Sequence, residues 1–174
     1  MVKQESVVKE LIKILSSIGL EVYVIGARSL ILYRVDLGRE TRDWDLTIDK
    51  PYTVELRDKL TNLLRRSGYS VQWRKWGLLV EKGEAHIDIN YAPLILDDEF
   101  KVRARIIGGY RVPSLEDLVV LKLMSGERKD MSDLKKILVQ KWSSLDKQYL
   151  MSRVKQAGLE KEYMKLIKRL GLKT

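Results

Sequence analysis

One stretch constrains the architecture more than any other: Asp43-Trp44-Asp45-Leu46-Thr47-Ile48-Asp49, in which polar and apolar side chains alternate. A period of two sends successive side chains to opposite faces, so the pattern predicts a strand with one face on a core and acids on the other. Asp43 and Asp45 then share a face, about 7 Å apart along the chain. Upstream, Glu21-Val22-Tyr23-Val24-Ile25 reads as a buried strand that ends at Gly26, and residues 27–33 support a short helix. Before that strand, Val7, Val8, Leu11, Ile12, Ile14 and Leu15 recur at helical spacing, predicting a helix over residues 3–18 that stops at Gly19.

Downstream, Pro51 suits the first turn of a helix that carries Leu56, Leu60, Leu63 and Leu64 inward and stops at Gly68. Strands are expected over residues 69–73, 76–81 and 85–91. The tight links Arg74-Lys75 and Lys82-Gly83-Glu84 predict antiparallel hairpins there. Pro93 is expected to end the third of these strands, and residues 103–107 to add another before Gly108-Gly109. From Pro113 the texture turns helical. Ser114 with Asp117 resembles a capping box that opens a helix through Leu123, ended by Gly126, and residues 129–141, 144–157 and 160–170 follow as helices. The expected class is α+β: a mixed sheet flanked by helices over residues 1–112, then a C-terminal helical part, residues 113–174, packed on that core.

Composition narrows the chemistry. With 174 residues, 45% of them hydrophobic, the chain can bury a core. It has no cysteine and one histidine, which excludes disulfides, thiolate nucleophiles, zinc–cysteine centres and multi-histidine metal sites. Oxygen ligands remain, and these favour Mg²⁺ or Mn²⁺. Lys plus Arg number 33 against 24 Asp plus Glu, a net +9 that attracts nucleic acid and helps dock a triphosphate, or simply solvates a lysine-rich surface. No apolar run approaches the roughly 20 residues of a membrane span, and the start Met1-Val2-Lys3-Gln4-Glu5 is not that of a signal peptide, so a cytoplasmic protein is expected.

Two carboxylates held as close as Asp43 and Asp45 repel unless a cation lies between them. Mg²⁺ suits the pair, because it takes one or two carboxylates and keeps positions for phosphates and water. Taken alone, an Asp-x-Asp is more often two solvent-facing acids on an edge strand. A third acid, Asp88, lies in His86-Ile87-Asp88-Ile89-Asn90, another alternating run. If the two strands are neighbours the acids converge: Asp43 and Asp45 would hold two metal ions, and Asp88 would ligate one and accept the proton of an attacking hydroxyl. Gly26, between strand and helix, is where backbone N–H groups can meet phosphate oxygens, although neither a G-x-G-x-x-G nor a Walker A sequence is present. Trp44 alternates away from the acids and reads as core. Trp73 and Trp76 flank Arg74-Lys75, and either cover a sheet face or stack on a base. Lys161, Lys165, Lys168 and Arg169 read as a solvated helix face that could also attract an RNA backbone.

In order, Val24-Ile25-Gly26-Ala27-Arg28-Ser29 and Arg39-Glu40-Thr41-Arg42-Asp43-Trp44-Asp45-Leu46 resemble the DNA polymerase β-like nucleotidyltransferase superfamily. The Arg-x-Thr-x-Asp-x-Asp form is similar to its minimal and abortive-infection-type, toxin–antitoxin associated branch. Val112-Pro113-Ser114-Leu115-Glu116-Asp117-Leu118 and Lys122-x₅-Arg128-Lys129-Asp130-x-x-Asp133 resemble the helical motif that follows the family's sheet, so the likeness runs over roughly residues 20–140. The resemblance implies that Gly26, Ala27, Arg28, Ser29, Arg39 and Thr41 bind the nucleotide. It implies that Asp43, Asp45 and Asp88 bind metal and are catalytic, and that Lys122 and Arg128 lie near the phosphates with Asp130 and Asp133 orienting them. The implied activity is Mg²⁺- or Mn²⁺-dependent transfer of a nucleoside monophosphate from a triphosphate to a hydroxyl of RNA, such as a tRNA 3′ end, or of a partner protein. Ala27 stands where the family has Gly or Ser, and this favours the alternative, a non-catalytic nucleotide- or RNA-binding module such as a toxin–antitoxin component.

Overall fold

The computed structural model describes residues 2–91 and 96–173. The strand end expected at Pro93 lies outside them. The chain forms two compact units, Met1–Arg28 with Thr41–Leu96, and Ser29–Glu40 with Asp97–Thr174.

The first unit contains α1 (Val2–Ser17), β1 (Val22–Ile25), the start of α2 (Gly26–Leu32), β2 (Trp44–Ile48), α3 (Val54–Arg66), β3 (Ser70–Trp73), β4 (Gly77–Lys82) and β5 (Ala85–Tyr91). The strands form one sheet in the order β1-β2-β5-β4-β3. β2 and β5 run parallel and every other pair is antiparallel, including the two expected hairpins. The register lines up Leu46, Ile89 and Leu78, and likewise Trp44, Ile87 and Val80, all buried, on one face. Trp73, beside Leu78, extends that face and donates its indole N–H to Thr61 of α3 at 2.9 Å, so α3 covers the apolar side.

Three sequence expectations need correction in this unit. β2 starts at Trp44, so the exposed Asp43 precedes the strand instead of lying in it; only residues 44–48 find partners in β5. Asp49 lies just past the strand's end, where its N–H donates to the Glu21 carbonyl at 3.2 Å and its carboxylate accepts the Glu21 N–H at 2.7 Å. Pro51 is outside α3, because Thr53 is the N-cap and its hydroxyl takes the Leu56 N–H at 3.2 Å. Trp76 belongs to the β3–β4 turn, since β4 begins at Gly77.

The second unit holds the rest of α2, α4 (Asp98–Arg103), β6 (Arg105–Ile107), β7 (Tyr110–Val112), α5 (Leu115–Ser125), α6 (Arg128–Lys141), a 3₁₀ turn (Trp142–Ser144), α7 (Lys147–Gln156) and α8 (Glu160–Arg169). The strand expected over residues 103–107 is shortened by α4, whose N-cap Asp97 accepts the Phe100 N–H at 2.9 Å while Phe100 is buried. What remains pairs with β7 as a separate two-stranded sheet. The helix expected over residues 144–157 starts later, at Lys147, behind a second N-cap, Asp146, which accepts the Tyr149 N–H at 3.0 Å. Ser114 caps α5 as expected, accepting the Asp117 N–H at 3.1 Å, and its hydroxyl donates to the Asp117 carboxylate at 2.7 Å. That carboxylate also accepts from Tyr149 and from Arg153, which is 1% exposed and reaches the exposed Asp97 as well, so one ionic cluster ties α5 and α7 to the cap of α4. Among the described residues no helix is long and apolar enough to cross a membrane.

Candidate active site

Asp45 and Asp88 are register partners on the parallel strands β2 and β5, which puts their carboxylates side by side on the face opposite the apolar one. Ile25 pairs with Asp45 on the other side, and Gly26 follows at once. The fit at Gly26 leaves no space. A Cβ there would lie 2.0 Å from Asp45 Oδ2, 2.6 Å from its Cγ and 2.8 Å from its Cβ, and the backbone holds a φ of +65°. Glycine is thus the residue that lets the strand-to-helix turn rest against this carboxylate.

Asp43 adds its charge from the strand entrance. Burial pushes the Asp88 carboxyl above the usual aspartate range, and repulsion from Asp43 adds to this, while His86 and Arg74 pull it back. Trp44, between the two acids in sequence, is 2% exposed as expected, and the Arg28 guanidinium stands over its ring at 5.0 Å. The Arg28 Nε is buried with no hydrogen-bond partner. Ala27 and Ser29 are buried, and Thr41 is half-buried two residues before Asp43. Among the described residues, no three acidic or imidazole side chains are gathered as a ready-made metal cluster, so the three aspartates are not a preformed cage. The donor set nonetheless fits Mg²⁺ or Mn²⁺. It is all oxygen, two carboxylates are adjacent, and burial and like charge at Asp88 oppose a second negative charge until a cation arrives.

In the second unit, Lys122 is 7% exposed and donates to Asp130 and, at 3.2 Å, to Asp133. Arg39 donates to the same Asp133 oxygen at 2.7 Å. Asp133 is fully buried, and its other carboxylate oxygen has no partner. Lys122 is therefore a pinned, buried cation and not an exposed helix lysine. Arg128, exposed at the first residue of α6, is not drawn into this cluster.

Set beside known proteins, residues 5–167 match the family DUF6036, nucleotidyltransferase of unknown function. The chain belongs to this nucleotidyltransferase family. No curated protein matches it. Solved structures share the fold at low identity. The solution structure of the antibiotic-resistance factor ANT(2″)-Ia aligns over 97% of each chain with a TM-score of 0.61 and 17% identity. The crystal structure of ANT(2″)-Ia with adenylyl-2″-tobramycin aligns over 92% of this chain and 99% of that one, at 0.60 and 17%. The Helicobacter pylori protein JHP933 aligns over 96% of this chain and 77% of its own, at 0.54 and 19%.

For this family member, sequence reasoning did not see how the segment before Asp43 is held. Asp133, Lys136 and Gln140, spaced along one side of α6, bind residues 36–39. Asp133 takes Arg39, Lys136 donates to the Leu37 carbonyl, and Gln140 exchanges two 2.8 Å hydrogen bonds with the Asp36 backbone. The available signal was the helical spacing of three polar residues, which a solvated helix face shows equally.

Proposed function

We propose that this chain transfers a nucleoside monophosphate from a nucleoside triphosphate to a hydroxyl acceptor, using Asp43, Asp45 and Asp88 with Mg²⁺ or Mn²⁺. The observation that carries the reading is the collision a Cβ at position 26 would make with Asp45. The turn excludes any side chain in order to rest on one carboxylate of an adjacent acidic pair. Family membership supports the reaction class.

In the proposed step the acceptor oxygen bonds to the α-phosphorus, the bond from the α-phosphorus to the bridging oxygen breaks, and pyrophosphate leaves with that bond's electrons. Asp45 and Asp88 would hold the divalent ions, with Asp43 beside them, and the ions supply Lewis-acid stabilisation of the charge on the phosphoryl oxygens. Asp88, beside Asp45 across the parallel strands, would take the proton of the acceptor hydroxyl. Gly26, Ala27, Arg28 and Ser29 are assigned to the nucleotide. So are Arg39, Thr41, Lys122 and Arg128, the cations among them being of the kind that stabilises a leaving pyrophosphate.

The test is incubation with each α-labelled triphosphate, Mg²⁺ or Mn²⁺, and an acceptor panel of pooled tRNA, candidate partner proteins and tobramycin. Tobramycin is included because a chain of similar fold holds its adenylyl adduct. Label should pass to an acceptor with the wild type and not with D43A/D45A. Triphosphate binding without transfer to any acceptor would instead identify the binding module that Ala27 favours.

A further inference from the structure

Trp73 and Trp76 are indistinguishable as a pair in the sequence, but they do different things. Trp73 is used by the fold: its N–H is bonded to Thr61, the Tyr52 ring meets it edge-on at 5.0 Å, and Arg57 stands 4.5 Å over its face. Trp76 is 48% exposed, and among the described residues no ring or cation packs on it. It sits in a turn that is closed twice, by Arg74 N–H to Gly77 O at 2.8 Å and Gly77 N–H to Arg74 O at 3.3 Å. Gly77 in turn lies so close to β5 that a Cβ would be 2.4 Å from the Ile89 carbonyl oxygen. A rigid, anchored hairpin thus holds a large aromatic ring half in water next to two cations, Arg74 and Lys75. That arrangement forgoes the burial an indole normally gains.

The turn is also at the edge of the sheet, on β3, the strand farthest from β1. One transverse row of the face opposite the apolar one runs Asp45, Asp88, Leu79, Gln72 across β2, β5, β4 and β3. All four are half-buried or exposed. Gln72 is two strand spacings, about 10 Å, from Asp88. Arg74 follows two residues later, donates to the Gln72 side chain at 2.8 Å, and its charge acts on Asp88. Cationic groups with an unshielded aromatic plane are what a single-stranded nucleic acid requires: the cations meet phosphates, and the ring stacks on an unpaired base whatever its identity.

We propose that the Arg74-Lys75-Trp76 turn binds the 3′ end of a single-stranded nucleic acid acceptor, Trp76 stacking on a base and Arg74 and Lys75 meeting the backbone, so that the terminal hydroxyl lies along the row leading to Asp88. The inference rests on the nucleotidyl-transfer reading above and adds the acceptor's class.

The test uses the full chain and a fluorescein-labelled single-stranded RNA of mixed sequence, followed by anisotropy without metal or triphosphate. A failure of the transfer reading therefore leaves this measurement unaffected. W76A should weaken binding about tenfold, and W76F, which keeps a ring, should retain most of it. R74Q/K75Q should lower the salt slope by about 1.4, the share of two phosphate contacts on a single strand. The melting temperature of each variant checks that the sheet is intact. W76A binding within twofold of wild type overturns the proposal. So does a wild type that binds no single strand, one that binds a duplex of the same sequence with equal dependence on Trp76, or transfer that goes only to protein or tobramycin.

Discussion

Replacing Gly26 with alanine tests the coupling between the strand-to-helix turn and Asp45. Two costs add. Holding an alanine at the observed φ of +65° costs about 1–2 kcal/mol for any L side chain. The new Cβ also meets the whole Asp45 side chain, from Oδ2 at 2.0 Å back to Cβ at 2.8 Å, so rotating the carboxylate alone does not clear it. An off-rotamer displacement of that kind adds about 0.5–1.5 kcal/mol. Together they predict a loss of about 1.5–3.5 kcal/mol by urea unfolding. Gly83→Ala separates the two costs, because Gly83 has a φ of +61° and nothing within 4 Å of its would-be Cβ. G83A should lose only the backbone cost. In an Asp45→Gly background, which removes the Asp45 Cβ together with the carboxylate, the contact with that side chain is gone, and the penalty of G26A should fall to that of G83A, a coupling read by the double-mutant cycle. Nucleotidyl transfer by G26A should drop by about 100-fold, the scale of a 1 Å misplacement of a reacting group. A G26A penalty equal to that of G83A, or one unchanged by D45G, refutes the close contact.

Lys122→Met should cost about 3 kcal/mol in urea unfolding, because it leaves the fully buried Asp133 with Arg39 as its remaining cation; a loss under about 1 kcal/mol contradicts the pairing. Acid should weaken the second unit through Asp130 and Asp97. Burial raises the Asp130 carboxyl, but hydrogen bonds from Lys122 and Ser125 outweigh it, and the Arg153 hydrogen bond lowers Asp97, so both are held below the usual aspartate range. A depressed folded value gives stability that is present above the unfolded pKa of about 4 and lost as pH falls through the folded value. Thermal melts between pH 7 and pH 3 should therefore fall less steeply for D130N than for wild type, and identical slopes refute the assignment. Arg34, the described non-glycine residue with positive φ, at 58°, should yield about 1 kcal/mol of added stability when replaced by glycine, measured as a higher melting temperature.

The parts of the site written in local pattern were legible. The alternation in residues 43–49 and 86–90 placed Asp45 and Asp88 on one face of two strands, and the Ser114–Asp117 spacing marked the start of α5. Strand ends were less so, because pairing partners decide them: Asp43 continues the pattern but finds no partner in β5. α4 escaped because six residues span fewer than two turns and show no period. The contact of Gly26 with Asp45, the meeting of Arg39 with Asp133 across 94 positions, and the different environments of Trp73 and Trp76 are tertiary facts with no local signature.

Crystals grown with Mn²⁺ and a non-hydrolysable nucleoside triphosphate, read by anomalous scattering at the manganese edge, address the acidic pair directly. A manganese peak within coordination distance of Asp45 or Asp88 is expected. A bound triphosphate whose manganese touches neither residue would contradict this expectation.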